Sequence, residues 1–459
     1  MINQEGLGPI DTMNKAKYSH FHRNLAIIAS LGAFTDLYVI QALGASTFSI
    51  VPHFLGTTTN FAFTASLLFI GAVFGVFSMG AVVDRVGRRI TFIMTLAVTL
   101  VLSIICAFVT TTLELNIVRF LLGFATGADY PAAMTIVAEF MPSKERGRGM
   151  TYLWAGFTLG GVVAYLIGYT LFTTIGPVSY EWRIMLGSVA IPAFIGLVLR
   201  TSLPESPRWA IEKKKYDVAA RSIERATGTK FKKEDLEVTR KVLFEDTVSN
   251  IKLHYSSYLL LLLPLVVAVM LFNLVPGALS TLNPTILSSL GVSKSGSLLY
   301  SASFLGVQFI AVMIVAFSID KVGRMKWAAI GGALEGIFGL IVIVAYHNAI
   351  ALFVLFMGLS FFAFIAVPVM RNSGSELFPT EFRGFTSGAT MTGDRVASVI
   401  GLLLTPLLFA HGVATLFLVY GIIGLVGAVI VLIGLRGKKI DKMSLEQIQE
   451  DILRTKKQS

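Results

Sequence analysis

Apolar residues come in long runs along this chain, and the polar residues fall between them. Runs near twenty residues, the length that crosses a ~30 Å hydrocarbon core, follow one another from Leu25 to Leu435. The pattern predicts twelve helices, at 24–47, 61–83, 90–111, 114–140, 148–172, 183–201, 256–281, 296–319, 326–346, 349–372, 384–408 and 412–436. Among open segments only a helix crosses lipid with its backbone polar groups satisfied, so the predicted fold class is an all-α membrane protein.

The polar connections repeat. GAVVDRVGRR at 80–89 aligns with AFSIDKVGRM at 316–325, and AEFMPSKERG at 138–147 aligns with SELFPTEFRG at 375–384, at offsets of 236 and 237. Pro131 and Pro368 share the second offset. Two motifs at one spacing indicate an internal duplication. Its units are a six-helix bundle over 1–201 and another over 255–436, joined by a linker at 202–254 whose mixed charges read as short surface helices; a tail follows at 437–459. Six is even, so both copies enter the bilayer from the same side, and a parallel repeat places a solute site at mid-depth between halves that rock.

Composition agrees: 54% of residues are hydrophobic and 14% charged, against about a quarter charged in soluble domains. The net charge of +11 lies in short loops rather than as a stripe on a soluble domain, which excludes nucleic acid as the partner. DRVGRR, KERGR at 144–148, the 202–254 segment, DKVGRMK at 320–326 and Arg383 share one side, while the other carries little more than Arg183 and Lys294. The positive-inside rule makes the first side cytoplasmic and places both termini there, in the cell membrane. The single cysteine, Cys106, lies within a span and excludes an internal disulfide, and residues 1–22 have no cleavable signal pattern.

Charges inside the spans are the exceptions that select a mechanism, because each costs ~2.5–3.5 kcal/mol at the bilayer centre on insertion scales. Asp36 lies thirteen residues past Arg23, near mid-depth at about 1.5 Å per residue. Two readings stand for it: a proton-binding carboxyl, or half of a static ion pair. Asp129, ten residues from Glu139, is also at mid-depth, as a coupling carboxylate or a helix-packing hydrogen bond to a Ser or Thr. In the eleventh span Asp394 and Arg395 point about 100° apart and need not pair. Arg395 either faces the cavity, where it holds an anion in fork geometry, or neutralises one of the aspartates. Glu335 and Arg371 read as structural, with Arg371 near enough to Glu376 to snorkel.

These motifs, with PESPRW at 204–209, resemble the major facilitator superfamily across nearly the whole chain. Within it the chain is similar to metabolite:proton symporters, the group of sugar porters, phosphate:proton symporters and aromatic-acid symporters. FTDLYVI at 34–40 is similar to their first-helix segment, although Thr35 stands where members often have Tyr. GADYPAAMTIVAEF at 127–140 is closest to the phosphate and organic-anion branch. The resemblance implies that Arg119 pairs with Asp36 in proton coupling, that Asp129 contributes to coupling or binding, and that Tyr130 touches substrate. It also implies a charge network that locks the cytoplasmic gate, built from Asp84, Gly87, Arg88, Glu139 and Arg146 with Asp320, Gly323, Arg324, Glu376 and Arg383.

The expected function is proton-coupled symport of a small polar or anionic metabolite by alternating access, with sugar:proton symport or uncoupled facilitation as the alternatives. Two mid-depth carboxylates favour coupling. The paired glutamines of sugar porters and the Trp and Asp of phosphate porters are missing from the seventh span, FNLVPGALSTLN at 272–283, and Arg119, Arg371 and Arg395 favour an organic anion. No phosphate-binding loop, metal spacing or nucleophile with a base is visible, so the chain is expected to be neither an enzyme nor ATP-driven and to use no cofactor beyond the proton. It is expected to work as a monomer, with the bilayer and the solute as its partners.

Overall fold

The computed structural model describes residues 8–143, 145–241, 255–345, 347–378 and 383–435, and their side chains except at 79–84, 146–148, 151, 255–258, 260, 320–321, 349–350, 375–376 and 383–384. Twelve helices are long and apolar enough to span a membrane. In chain order the helices are α1 (Pro9–Lys15), α2 (His20–Ala45), α3 (Thr47–Ile50), α4 (Thr58–Val86), α5 (Arg88–Phe108), α6 (Thr112–Phe140), α7 (Arg146–Thr174), α8 (Glu181–Ser188), α9 (Ala190–Thr201), α10 (Pro207–Glu212), α11 (Tyr216–Thr227) and α12 (Lys233–Arg240). The second half holds α13 (Tyr255–Ser289), α14 (Lys294–Val322), α15 (Arg324–Ala345), α16 (Ala349–Glu376), α17 (Arg383–Ala410) and α18 (Val413–Gly434). Several spans, such as α4, α7, α13 and α14, outrun their apolar runs by four or more residues, because polar end turns outside hydrocarbon still form helix. The sixth span is broken in two, α8 and α9.

Caps set several ends. Thr111 Oγ1 accepts from the Glu114 amide at 3.2 Å while Glu114 Oε2 accepts from the Thr111 amide at 3.2 Å, a reciprocal box that starts α6. Ser293 caps α14 by accepting from the Gly296 amide at 3.1 Å.

The duplication is visible in the packing. The first span meets the fifth (α2 with α7), the second the fourth (α4 with α6) and the third the sixth (α5 with α9), and the second half repeats these pairs as α13 with α17, α14 with α16 and α15 with α18. The halves join through α7 with α14 and α4 with α17, again a related pair. Glycines permit the tightest seam: a Cβ on Gly71, Gly75, Gly123 or Gly127 would stand 1.8–2.3 Å from a carbonyl oxygen of the facing helix in the α4/α6 pair. Large apolar side chains such as Phe77, Phe108, Phe317 and Ile433 cover the outside, which suits lipid rather than water.

Three prolines interrupt α13, Pro264, Pro276 and Pro284. Pro284 has no N–H to offer the Ser280 carbonyl four residues back. That carbonyl instead accepts from the Tyr165 hydroxyl of the other half at 2.5 Å. Nearby, Thr47 and Thr285 share a hydroxyl contact at 3.1 Å. At the opposite end, α1, α10, α11 and α12 form a platform whose Met13, Trp209, Ile223 and Leu236 share one apolar cluster with Leu25, Phe92 and Phe140 of the first bundle.

Candidate functional site

A cavity of about 30 Å³ lies between the halves, lined from α2, α4, α7, α13, α14, α16 and α17. A water centre takes at least ~10–15 Å³, so this conformation has room for about two waters. Its polar wall comes from Gln41, Asn273, Gln308, Arg371, Asp394 and Arg395 with Ser280 and Ser398. Asp394 Oδ2 lies 3.4 Å from Arg371 Nη1 and 4.0 Å from Arg395 Nε. Asn273 Nδ2 donates to the Asp394 carbonyl at 2.9 Å and to Ser398 Oγ at 2.8 Å, which fixes α17 against α13. Several buried polar atoms have no hydrogen-bond partner among the described residues: Asp394 Oδ1, both amide atoms of Gln308, Gln41 Nε2, and Arg371 Nε and Nη2. Buried polar atoms take hydrogen-bond partners, so this wall presents donors and acceptors to the cavity.

Arg371 does not snorkel. Its guanidinium lies 5.2 Å from the Tyr130 ring and 4.7 Å from the Trp154 ring, crossing from α16 to the first half. The ion pair with Asp394 and these two ring faces outweigh the pull of the nearby helix end. Tyr130 is buried behind the cavity, with its ring against Trp154 and Phe157. Arg395 lies 5.8 Å over the Phe69 ring, also across the halves.

Asp36 and Asp129 are both buried, and neither lines the cavity. Arg119 does not reach Asp36. Its Nη1 donates to the Val39 carbonyl at 2.9 Å, three residues and so about 4.5 Å further along α2. Asp36 Oδ2 has no hydrogen-bond partner among the described residues, and the charges acting on this carboxyl are those of Asp129, Arg395, Arg200 and Arg371. Asp129 is held from both sides: Thr95 Oγ1 donates at 2.5 Å, Arg200 Nη2 donates to Oδ2 at 2.7 Å, and Arg200 Nη1 donates to Oδ1. Glu335 is buried away from the cavity, and neither carboxylate oxygen has a hydrogen-bond partner among the described residues.

The loop motifs meet the platform. Glu139 accepts from the Ser206 hydroxyl and lies 3.9 Å from Arg88 Nε. Glu205 Oε1 accepts from the amides of Arg89 and Ser206, each at 2.9 Å. Gly87 and Gly323, the matching glycines of the two copies, have φ of 114° and 98° with ψ near 150°, a region open essentially to Gly alone. A Cβ on Gly87 would also stand 2.6 Å from Glu205 Oε2. Gly87→Ala should therefore destabilise the protein by about 1–3 kcal/mol, measured as a lower melting midpoint in detergent. The Arg324 side chain is described, whereas Asp84, Arg146, Asp320, Glu376 and Arg383 lie outside the residues whose side chains are described.

Sequence reasoning missed Arg200, Gln41, Gln308 and Asn273. Arg200 lies on the last turn of its span, where snorkelling charges are ordinary. The amides carry no charge, and the test applied to the spans was charge. A search for any polar side chain within an apolar run would have found all four.

Residues 12–451 match the family described as Sugar (and other) transporter. The glucose transporter GlcP of Staphylococcus epidermidis is 27% identical over 413 residues, covering 85% of this chain and 89% of that protein. The niacin transporter NiaP of Acinetobacter baylyi is 27% identical over 440 residues, 93% of this chain and 97% of that one. Among solved structures, the inward-open xylose transporter XylE from E. coli superposes with a TM-score of 0.77 at 17% identity, over 94% of this chain and 99% of XylE. Family and fold thus agree with the twelve spans, the duplicated packing and the polar cavity between the halves: the chain is a multi-pass membrane transporter that belongs to the sugar (and other) transporter family, with the major facilitator fold.

Proposed function

We propose that this protein is a proton-coupled symporter of a small organic monoanion, with its loop motifs and both termini on the cytoplasmic side. The observation that carries this reading is the charge of the cavity wall, where two guanidiniums, Arg371 and Arg395, face one carboxylate, Asp394. One positive charge is left over for a solute. Arginine suits a carboxylate because its planar fork donates two parallel hydrogen bonds. Gln41 and Gln308 add donors and acceptors for the rest of the molecule.

Asp36 supports coupling through the same arginines. While ionised it competes with the solute for Arg371 and Arg395, whose charges act on it. A proton on Asp36 ends that competition, so proton and anion bind together and leave together. The NiaP relative, whose solute is named as niacin, is in keeping with a carboxylate. The likeness to XylE and GlcP favours a second reading, sugar:proton symport.

Uptake of nicotinate, D-xylose and inorganic phosphate into proteoliposomes under an imposed pH gradient separates the readings. Nicotinate should accumulate, and Arg395→Gln should lower its uptake roughly 10- to 150-fold, the equivalent of a charge-assisted hydrogen bond of ~1.5–3 kcal/mol. Accumulation of xylose with no nicotinate uptake would establish the sugar reading instead.

A further inference from the structure

The first half contains a second charged assembly, built on an absent side chain. Arg200 reaches from α9 to Asp129 on α6, and its Nη1 also donates to the Phe92 carbonyl at 2.5 Å and to Thr95 Oγ1 at 3.3 Å. Its guanidinium lies 3.3 Å from the centre of the Phe92 ring. The side chains of Arg200 and Asp129 are 0% and 2% exposed, so the pair is shielded from both water and lipid. Its path crosses α2 at Gly32, where a Cβ would stand 1.6 Å from Arg200 Nη2 and 2.6 Å from Asp129 Oδ2. Asp36 is four residues along the same helix and therefore on the same face.

The two aspartates are thus neighbours in unequal surroundings. Both oxygens of Asp129 are filled by the arginine fork and the threonine hydroxyl, and removing a partner from a buried pair leaves an uncompensated charge. Asp36 has a buried oxygen with no hydrogen-bond partner among the described residues. Four charges act on it: Asp129 from α6, Arg200 from α9, Arg371 from α16 and Arg395 from α17. We propose that Arg200 is a positioning residue that locks Asp129 in an ion pair across the bare turn at Gly32, leaving Asp36 as the exchangeable proton site of the two. This rests on the reading of the chain as proton-coupled and divides the labour between its two mid-depth carboxyls.

Infrared difference spectra of the purified transporter, recorded between acid and alkaline pH, test the assignment through the carbonyl stretch of carboxylic acids and need no substrate. The wild type should show a band that Asp36→Asn removes and Asp129→Asn retains. Arg200→Gln should add a second band, from an Asp129 released to take a proton, and Arg200→Gln with Asp129→Asn should delete it. Gly32→Ala, which drives the guanidinium off its seat, should add the same band if Arg200→Gln does not fold. A band that survives Asp36→Asn but disappears with Asp129→Asn while Arg200 is present would overturn the proposal, as would the absence of a new band in a folded Arg200→Gln or Gly32→Ala protein. Coupling itself is read separately: uptake of nicotinate, xylose and phosphate that ignores the pH gradient would remove the proton reading whatever the spectra show.

Discussion

Asp36→Asn should abolish uphill accumulation of the transported solute while leaving exchange of labelled for unlabelled solute intact. Exchange requires only that the loaded carrier reorient, whereas accumulation requires a proton to board and leave with the solute. One proton crossing ~100 mV and one pH unit supplies about 3.7 kcal/mol in all, enough for a roughly 500-fold gradient of a neutral solute. For a monoanion carried one to one, the charge movements cancel, and the pH term alone sustains about a 10-fold gradient. The variant should leave neither kind of solute concentrated above unity, and the wild-type plateau with and without an imposed voltage reports the charge of the solute. A variant that still accumulates solute to the wild-type level would show that the proton travels elsewhere.

Arg371→Gln should be among the most damaging single substitutions in the protein. It leaves Asp394 with only Arg395 at 4.0 Å and removes the cation that lies over Tyr130 and Trp154. Removing one partner of a buried ion pair typically costs ~3–5 kcal/mol, most of it from the stranded charge. Adding Asp394→Asn discharges that remainder, so the double variant should recover most of the lost melting temperature in detergent while transport stays impaired. If the double variant proves no more stable than Arg371→Gln, the damage lies in packing against the aromatic rings rather than in the charge.

The fold was legible because lipid enforces a simple rule. A span must be apolar for about twenty residues, and the duplicated DRVGRR and AEFMPSKERG segments reveal the repeat that the packing then displays. The site was legible only in part. Charge within a span singled out Asp36, Asp129, Asp394 and Arg395, of which Asp394 and Arg395 line the central cavity and Asp36 and Asp129 do not. Their partners could not be derived from spacing, since which helix faces which is decided by packing. Arg200 reaches Asp129 only because Gly32 lacks a side chain, a condition spread over three helices far apart in sequence. Arg371 reads as a structural group able to snorkel because depth is counted from the helix end, while its long arm points inward to Asp394. Gln41 and Gln308 went unseen because an uncharged amide leaves little trace in a hydropathy pattern.

The hydroxyl of Tyr165 bonds to a carbonyl that Pro284 has already released from the helical ladder. A bond of this kind can be given up at no expense to α13, which keeps every backbone bond it possesses whether or not the neighbouring half stays in place. Separation at that face consequently gives up neutral contacts, this one and the Thr47–Thr285 hydroxyl pair beside it among them, each of order 1 kcal/mol.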